Sequence, residues 1–457
     1  MSVLLIEMFS QGLVLAYPFS LLPALNHPKT PIRANLHSSS WLGSIIGLAY
    51  INGFMMSSVL TKFCGRRFAN AIVILSSIVG WLMIYFAKDI TTLMIGRFLS
   101  GLTVGATVPL ETIVIKEYMA PKYKGAFLYL KNTALCTGVT IMHIISRCLD
   151  WRTIALVALA PLLMDLLIVY TWPESSACRA SKQFETNDHT INSNRGNTKF
   201  SRYPLGHCRP STSKFKLTCM DGVMAFCRQF KQKDFIKRLV IMILSTLVLV
   251  MSGKHVFFSY ALQIMADITG EITQSFYYSL GIDIAITASA LFAAVLGKII
   301  NPRTLFFSTG FSALSVLMSL CMYLFFTSKG MIATNKSWIS ANLLEVYFML
   351  ANFGCASISL TLFGEIFHLN NKGVSPALCQ VWISICLTVC LKSTPHLLVN
   401  LGVHGVFVVY GSIMGMSLLI LYFILPETNN ERLANTIIDD DKATNNKIIT
   451  KENSNII

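Results

Sequence analysis

Five ionisable residues lie inside long apolar runs of the chain, where their types and spacing could do chemistry: Glu111, Lys131, Lys254, His255 and Asp283. A charge placed in an apolar medium costs about 2.5–3.5 kcal/mol on insertion scales, so such groups mark ion pairs or functional positions. Glu111 and Lys131 are opposite in sign and can pair. Lys254, His255 and Asp283 offer a cation, an imidazole that titrates near neutrality and a carboxylate, a set suited to holding a polar solute or relaying a proton. Asp165, Glu345, His143, Lys392 and His396 also fall in or near apolar runs, but spacing alone assigns none of them a partner.

The runs that carry these groups are too long and too apolar for a water-soluble domain. Of 457 residues, 54% are hydrophobic and 13% charged, with mean hydropathy +0.59, whereas globular chains carry roughly 25% charged residues. An apolar helix needs about 20 residues to cross the hydrocarbon. Twelve stretches serve: 3–25, 41–63, 68–87, 91–115, 124–146, 152–172, 237–265, 274–297, 304–327, 339–366, 374–398 and 402–425. The pattern predicts an all-α membrane protein whose twelve transmembrane helices form two six-helix bundles, 1–172 and 238–425. Between them, 173–237 is expected to be a cytosolic linker, too polar to bury a core, and 426–457 a cytosolic tail.

Charge fixes the expected orientation. Residues 173–238 hold 13 Lys and Arg against 5 Asp and Glu, the loop at Lys62, Arg66 and Arg67 is basic, and Lys116, Lys122 and Lys124 follow the fourth span. All three regions fall on one side, so both termini are expected in the cytosol, with the plasma membrane as the location. On this topology Glu111 lies six residues before Glu117 and Lys131 six after Gly125, both about 9 Å inside the same boundary. Lys254 and Asp283 come near mid-depth. The net charge of +15 alone would suit nucleic acid, but the basic residues sit between spans and form no stripe, so membrane lipid and a small solute are the expected partners and nucleic acid is not.

Other signals are weaker. Twelve cysteines, mostly in apolar spans and without a CxxC pair, give no disulfide framework and no metal site, and no cofactor is indicated. The first apolar run lacks a basic leading region and is long enough to span, so it is not a cleavable signal, and any cytosolic leader is expected to be very short or missing. Asn335-Lys336-Ser337 is a glycosylation sequon on the outer side. The absence of a Walker loop, an HExxH pair and a nucleophile elbow argues against an enzyme.

The stretch Gly96–Gly125 carries the strongest pattern. Gly101 and Gly105 form a GxxxG pair that admits a second helix at close range. Gly96, Arg97, Phe98, Leu99, Gly101, Gly105, Glu117 and Gly125 stand in the register of the fourth span of sugar porters of the major facilitator superfamily, with Lys124 replacing Arg. The chain resembles that family over nearly its whole length, and within it the insect facilitated trehalose transporter-like members. Gly65-Arg66-Arg67, Trp151-Arg152, Pro173-Glu174-Ser175, Glu365-Ile366-Phe367 with Gly373, and Pro426-Glu427-Thr428 match repeated signatures of its two halves.

The resemblance implies transport of a small polar solute, a hexose or trehalose, by alternating access and facilitated diffusion. It also implies a latch of gating charges at the cytosolic face: Arg66, Arg67 and Lys124 with Glu117, Glu174, Glu365 and Glu427. Arg97 reads instead as a residue snorkelling near a helix end. The second half departs from the family: its basic loop is reduced to Gly297-Lys298-Ile299-Ile300-Asn301-Pro302-Arg303, and Leu249 and Val250 replace two glutamines ahead of Ser252-Gly253. His255 replaces an Asn, and Ser359 and Leu360 stand where the family has Pro and Trp. Each lost neutral hydrogen bond weakens hydroxyl recognition by roughly 0.5–1.5 kcal/mol.

Asn132 and Trp382 keep the places of a sugar-binding amide and a stacking aromatic, with an interhelical contact and a packed ring as their structural alternatives. Asp283 paired with Lys254 or His255 is expected to replace the missing amides in the central cavity, and Asn132, Ser252, His255, Asp283 and Trp382 form the candidate binding set. A buried bridge fixing helix register is the alternative for the pair. A non-conducting, transporter-like sensor or degenerate paralogue, or a proton-coupled carrier of a non-sugar solute, are the competing functions.

Overall fold

The computed structural model describes residues 2–26, 30, 32–118, 121–171, 233–296, 301–331, 337–359 and 374–425, without the side chains of 112–118, 121–126, 233–234, 296 and 374–376. Helices account for nearly all of them, as required of backbone in hydrocarbon, where each N–H and C=O must be bonded within its own segment. They are α1 (Ser2–Ala16), α2 (Pro18–Leu25), α3 (Leu36–Cys64), α4 (Arg66–Tyr85), α5 (Ile90–Tyr118), α6 (Pro121–Cys148), α7 (Trp151–Val157), α8 (Leu159–Thr171), α9 (Lys233–Met251), α10 (Lys254–Thr269), α11 (Ile272–Leu296), α12 (Pro302–Ser328), α13 (Ser337–Ala351), a π turn (Asn352–Ala356) and α14 (Val374–Ile424).

Ten described segments are long and apolar enough to cross a membrane, the pairs α1–α2, α7–α8 and α9–α10 each counting once. α6 adds 28 residues whose lysines lower its hydropathy. The last of the ten, Ala377–Ile424, is two spans: Gly402 takes φ 68°, and the Tyr410 hydroxyl lies 2.9 Å from Thr394 Oγ1 and 3.1 Å from Cys390 O, so the arms before and after it fold back on each other. A side chain at that φ would be strained. The described helices thus accommodate the twelve expected spans.

Close glycine contacts hold the first bundle. α3 and α5 pack so tightly that a Cβ on Gly105 would lie 1.7 Å from Tyr50 O, and one on Gly53 1.9 Å from Leu102 O. The expected close approach at the GxxxG pair is thereby realised, with α3 as the second helix. Between the bundles, α3 lies antiparallel to the first arm of α14, α6 lies against α11, and α10 touches α1 and α2.

One reading needs correction, and the seventh span carries a break within its expected bounds. There α9 ends at Met251 and α10 begins at Lys254, with Gly253 left-handed at φ 75°. Arg97 does not snorkel. It is fully buried, donates from Nη1 to Val14 O at 2.8 Å and places its guanidinium 5.6 Å from the Tyr17 ring, tying α5 to α1. The residues 119 and 120, the segment 172–232, the second-half loop at 297–300, the sequon asparagine and the tail 426–457 lie outside the described residues.

Candidate functional site

The break at Ser252-Gly253 decides where Lys254 points. The Ser252 hydroxyl donates back to Leu249 O at 2.8 Å, while its carbonyl accepts from Tyr347 Oη at 2.7 Å, so hydroxyl and carbonyl both stabilise the break. Lys254, first in α10 and 3% exposed, reaches into the seam between the bundles. Its Nζ donates to Asn352 Oδ1 at 3.0 Å and to Asn132 Oδ1 at 3.2 Å. Asn352 sits at the start of the π turn and anchors itself by donating from Nδ2 to Ile286 O and Ser289 Oγ, each at 2.9 Å. Asn132 Nδ2 completes the cluster with 3.4 Å contacts to Asn352 Oδ1 and Ser357 Oγ. One side chain from the first bundle therefore meets three from the second.

Among the described residues no carboxylate lies within ion-pair distance of Lys254. Its ammonium is held by amide oxygens, with the Phe258 ring 5.8 Å away. An ammonium has three donors and no acceptor, and amides offer both, which is the mixture that hydroxyl groups of a solute require.

Asp283 is not Lys254's partner, nor His255's. Its carboxylate bonds His143 Nδ1 across the seam, both side chains being fully buried. His143 Nε2 faces Phe258 O at 3.2 Å, and its ring stacks on Phe19 with centroids 3.8 Å apart. Both ring nitrogens are thus engaged, one by the carboxylate and one by a main-chain carbonyl. The expected pairing failed because it considered only the charges of spans seven and eight, whereas α6 brings a histidine to the same depth. One turn further along, Thr140 and Thr287 hydroxyls meet at 3.1 Å.

The remaining candidates scatter. His255 stands edge-on to Phe258 at 6.2 Å, and its Nδ1 is buried without a hydrogen-bond partner. Trp382 is half-buried and donates from Nε1 to Ile243 O at 3.3 Å, while Tyr50 of α3 donates to Gln380 Oε1 at 2.5 Å nearby. Lys131 and Glu111 form the expected ion pair, with Nζ 2.7 and 2.8 Å from the two carboxylate oxygens. Asn352, Ser357 and Ser289 were not singled out from the sequence, and His143 was named there without a partner. An amide within the apolar stretch 346–356 of span ten was the available signal for Asn352.

Of the residues expected as gating charges, Arg67 is the one whose contacts are described in detail. Its Nη2 donates to Tyr170 O near the end of α8, and its guanidinium lies 5.2 Å from the Tyr170 ring. Arg303, at the start of α12, likewise donates to Tyr422 O at 3.3 Å near the end of α14. The same contact thus joins spans three and six and spans nine and twelve, a structural echo between the halves. Arg66 lies at the start of α4 and is engaged as well. The side chains of Glu117 and Lys124, and Glu174, Glu365 and Glu427 altogether, lie outside the described residues.

A sequence profile described as "Sugar (and other) transporter" matches residues 12–436. The chain belongs to this family. It is therefore a multi-pass membrane transporter and not an enzyme. The transporter is 21% identical over 406 residues to the facilitated trehalose transporter Tret1 of Apis mellifera ligustica, covering 88% of this chain and 79% of that one. It is 25% identical to the sugar transporter ERD6-like 8 of Arabidopsis thaliana, covering 86% and 83%. Against the Tret1 protein of Drosophila virilis, 22% identical, it covers 87% of itself but 43% of that chain, so it spans about half the length of several relatives it matches. Its fold is similar to that of the E. coli xylose transporter XylE in a partially occluded inward open conformation, with TM-score 0.70, 14% identity and 93% and 97% coverage.

Proposed function

We propose that the transporter carries a sugar, a hexose or trehalose, across the plasma membrane by facilitated diffusion, both termini facing the cytosol. The observation that supports this most directly is the contact of Asn132, from the first bundle, with Lys254 and Asn352 of the second. A polar cluster built from both bundles changes its geometry whenever one bundle rocks against the other, as a site served by alternating access must. Solute hydroxyls would take the place of the long 3.4 Å contacts of Asn132 in this cluster. Trp382 would border the site, and Asp283, Ser252 and His255 would support it from behind. The cytosolic latch of Arg66, Arg67, Lys124, Glu117, Glu174, Glu365 and Glu427 would close the opposite side in the outward-facing state.

The test is uptake of labelled trehalose and glucose by cells expressing the chain, an Asn132→Ala, Trp382→Ala double variant, or neither. Uptake above background in the parent alone supports the reading. Equal counts in all three, with each protein present at the membrane, favour the sensor or degenerate paralogue, whose supporting observation is that Leu249 and Val250, in place of two amides, are both buried, Val250 within the apolar core.

A further inference from the structure

A second polar pocket lies wholly inside the first bundle, away from the seam. Glu7 of α1, Asn70 of α4, Thr103 and Thr107 of α5 and Asp165 of α8, with Ser10, line a cavity of about 10 Å³. Glu7 is 5% exposed, Ser10 5%, Asn70 2% and Asp165 0%. Asn70 donates from Nδ2 to Glu7 Oε1 at 2.6 Å, which turns its own carbonyl oxygen free of that bond. Five oxygens are then left without a hydrogen-bond partner: Glu7 Oε2, Ser10 Oγ, Asn70 Oδ1 and both carboxylate oxygens of Asp165.

Neither carboxylate has an ion-pair partner among the described residues, since Lys131 is taken by Glu111 and His143 by Asp283. Two uncompensated carboxylates at membrane depth are costly, and an ionisable group there is a functional position by default. The cavity is about large enough for one water-sized occupant. A water donates two hydrogen bonds and the Ser10 hydroxyl one more, which still leaves one of the four acceptor oxygens of Glu7, Asn70 and Asp165 unanswered, whereas a metal cation is attracted by all five oxygens. Calcium takes 6–8 oxygens, and magnesium keeps several of its own waters, for which this cavity has no room.

We propose that Glu7, Ser10, Asn70 and Asp165 form a binding site for one sodium ion, set apart from the solute path. The ion would be held by oxygen alone and would lock α1, α4 and α8 together within the first bundle. One negative charge is neutralised by the ion, and the other rests on Glu7, whose second oxygen accepts the Asn70 bond. Because the pocket touches none of the seam residues, the site stands or falls independently of the sugar assignment.

The test uses the purified full-length transporter without sugar: equilibrium binding of radioactive sodium, and thermal unfolding across a sodium titration with choline holding ionic strength constant. One ion bound per chain and a saturating rise in Tm are expected, with at least a tenfold loss of sodium affinity in Glu7→Gln and Asp165→Asn. Should those variants fail to fold, Ser10→Ala is expected to fold and to bind sodium several-fold more weakly. No sodium bound by the parent, displacement by equimolar calcium, stabilisation by acid in place of sodium, or unchanged affinity in every folded variant would each overturn the proposal.

Discussion

His143 on α6 and Asp283 on α11 meet in a side-chain hydrogen bond that crosses the seam between the two bundles, fully buried, with Phe258 O facing the other ring nitrogen. Two bundles that rock against each other have few fixed points, and this pair is one of them in the conformation described. Removing one member leaves the other buried without its hydrogen-bond partner, a cost of about 1–3 kcal/mol and more for a charged group. Asp283→Asn and His143→Gln are therefore each expected to lower Tm, and the double variant to lose less than the sum of the two. A double-mutant cycle on thermal unfolding in detergent reads the coupling directly; strict additivity would remove the pair from the account.

Lys254→Met tests the seam cluster. Methionine keeps the length of the side chain and removes the charge, so Asn132 and Asn352 lose a shared donor, about 1–3 kcal/mol for groups left unsatisfied. Relief of the buried ammonium's desolvation opposes that loss, so Tm should move little. Uptake should fall at least tenfold. Uptake at parental levels would place the solute elsewhere.

Glycine contacts predict a contrast between two helices. Gly105→Val drives a branched side chain into Tyr50 O, while Gly281, on α11, has nothing within 4 Å of a built Cβ. Overpacking costs typically 1–3 kcal/mol. Gly105→Val should reduce the folded, monodisperse fraction on size exclusion, and Gly281→Ala should leave it unchanged.

Asp89 caps the start of α5 in the loop ahead of the fourth span. Hydrogen bonds from the Thr92 hydroxyl at 2.7 Å and the Thr92 N–H at 3.1 Å hold its carboxyl below the usual carboxylate range. A carboxyl lowered in the folded state adds stability above its unfolded value, about 3.9. That contribution is lost as pH falls through the lower folded value. Asp89→Asn should therefore match the parent more closely below pH 3 than at pH 7, as Tm against pH would record.

The sequence determined the spans, because apolar length is a property of consecutive residues and a bilayer leaves helices as the solution. It also determined the glycine contact of α5, since small residues four apart present one smooth face, and the Glu111–Lys131 pair, since both charges could be counted from one membrane boundary. Depth can be counted in this way; the facing direction cannot. Counting puts Lys254 and Asp283 both near mid-depth, but only the tertiary structure decided that the Gly253 break turns Lys254 toward Asn132 and Asn352 while Asp283 turns toward His143. The same holds for Arg97, which a one-dimensional reading placed near a surface and the packing of α1 on α5 buried. The Glu7–Asp165 pocket joins positions more than 150 residues apart, and no local pattern marks it. Span boundaries follow from transfer of each segment into hydrocarbon, whereas partners follow from helix rotation and breaks, which the whole bundle sets at once.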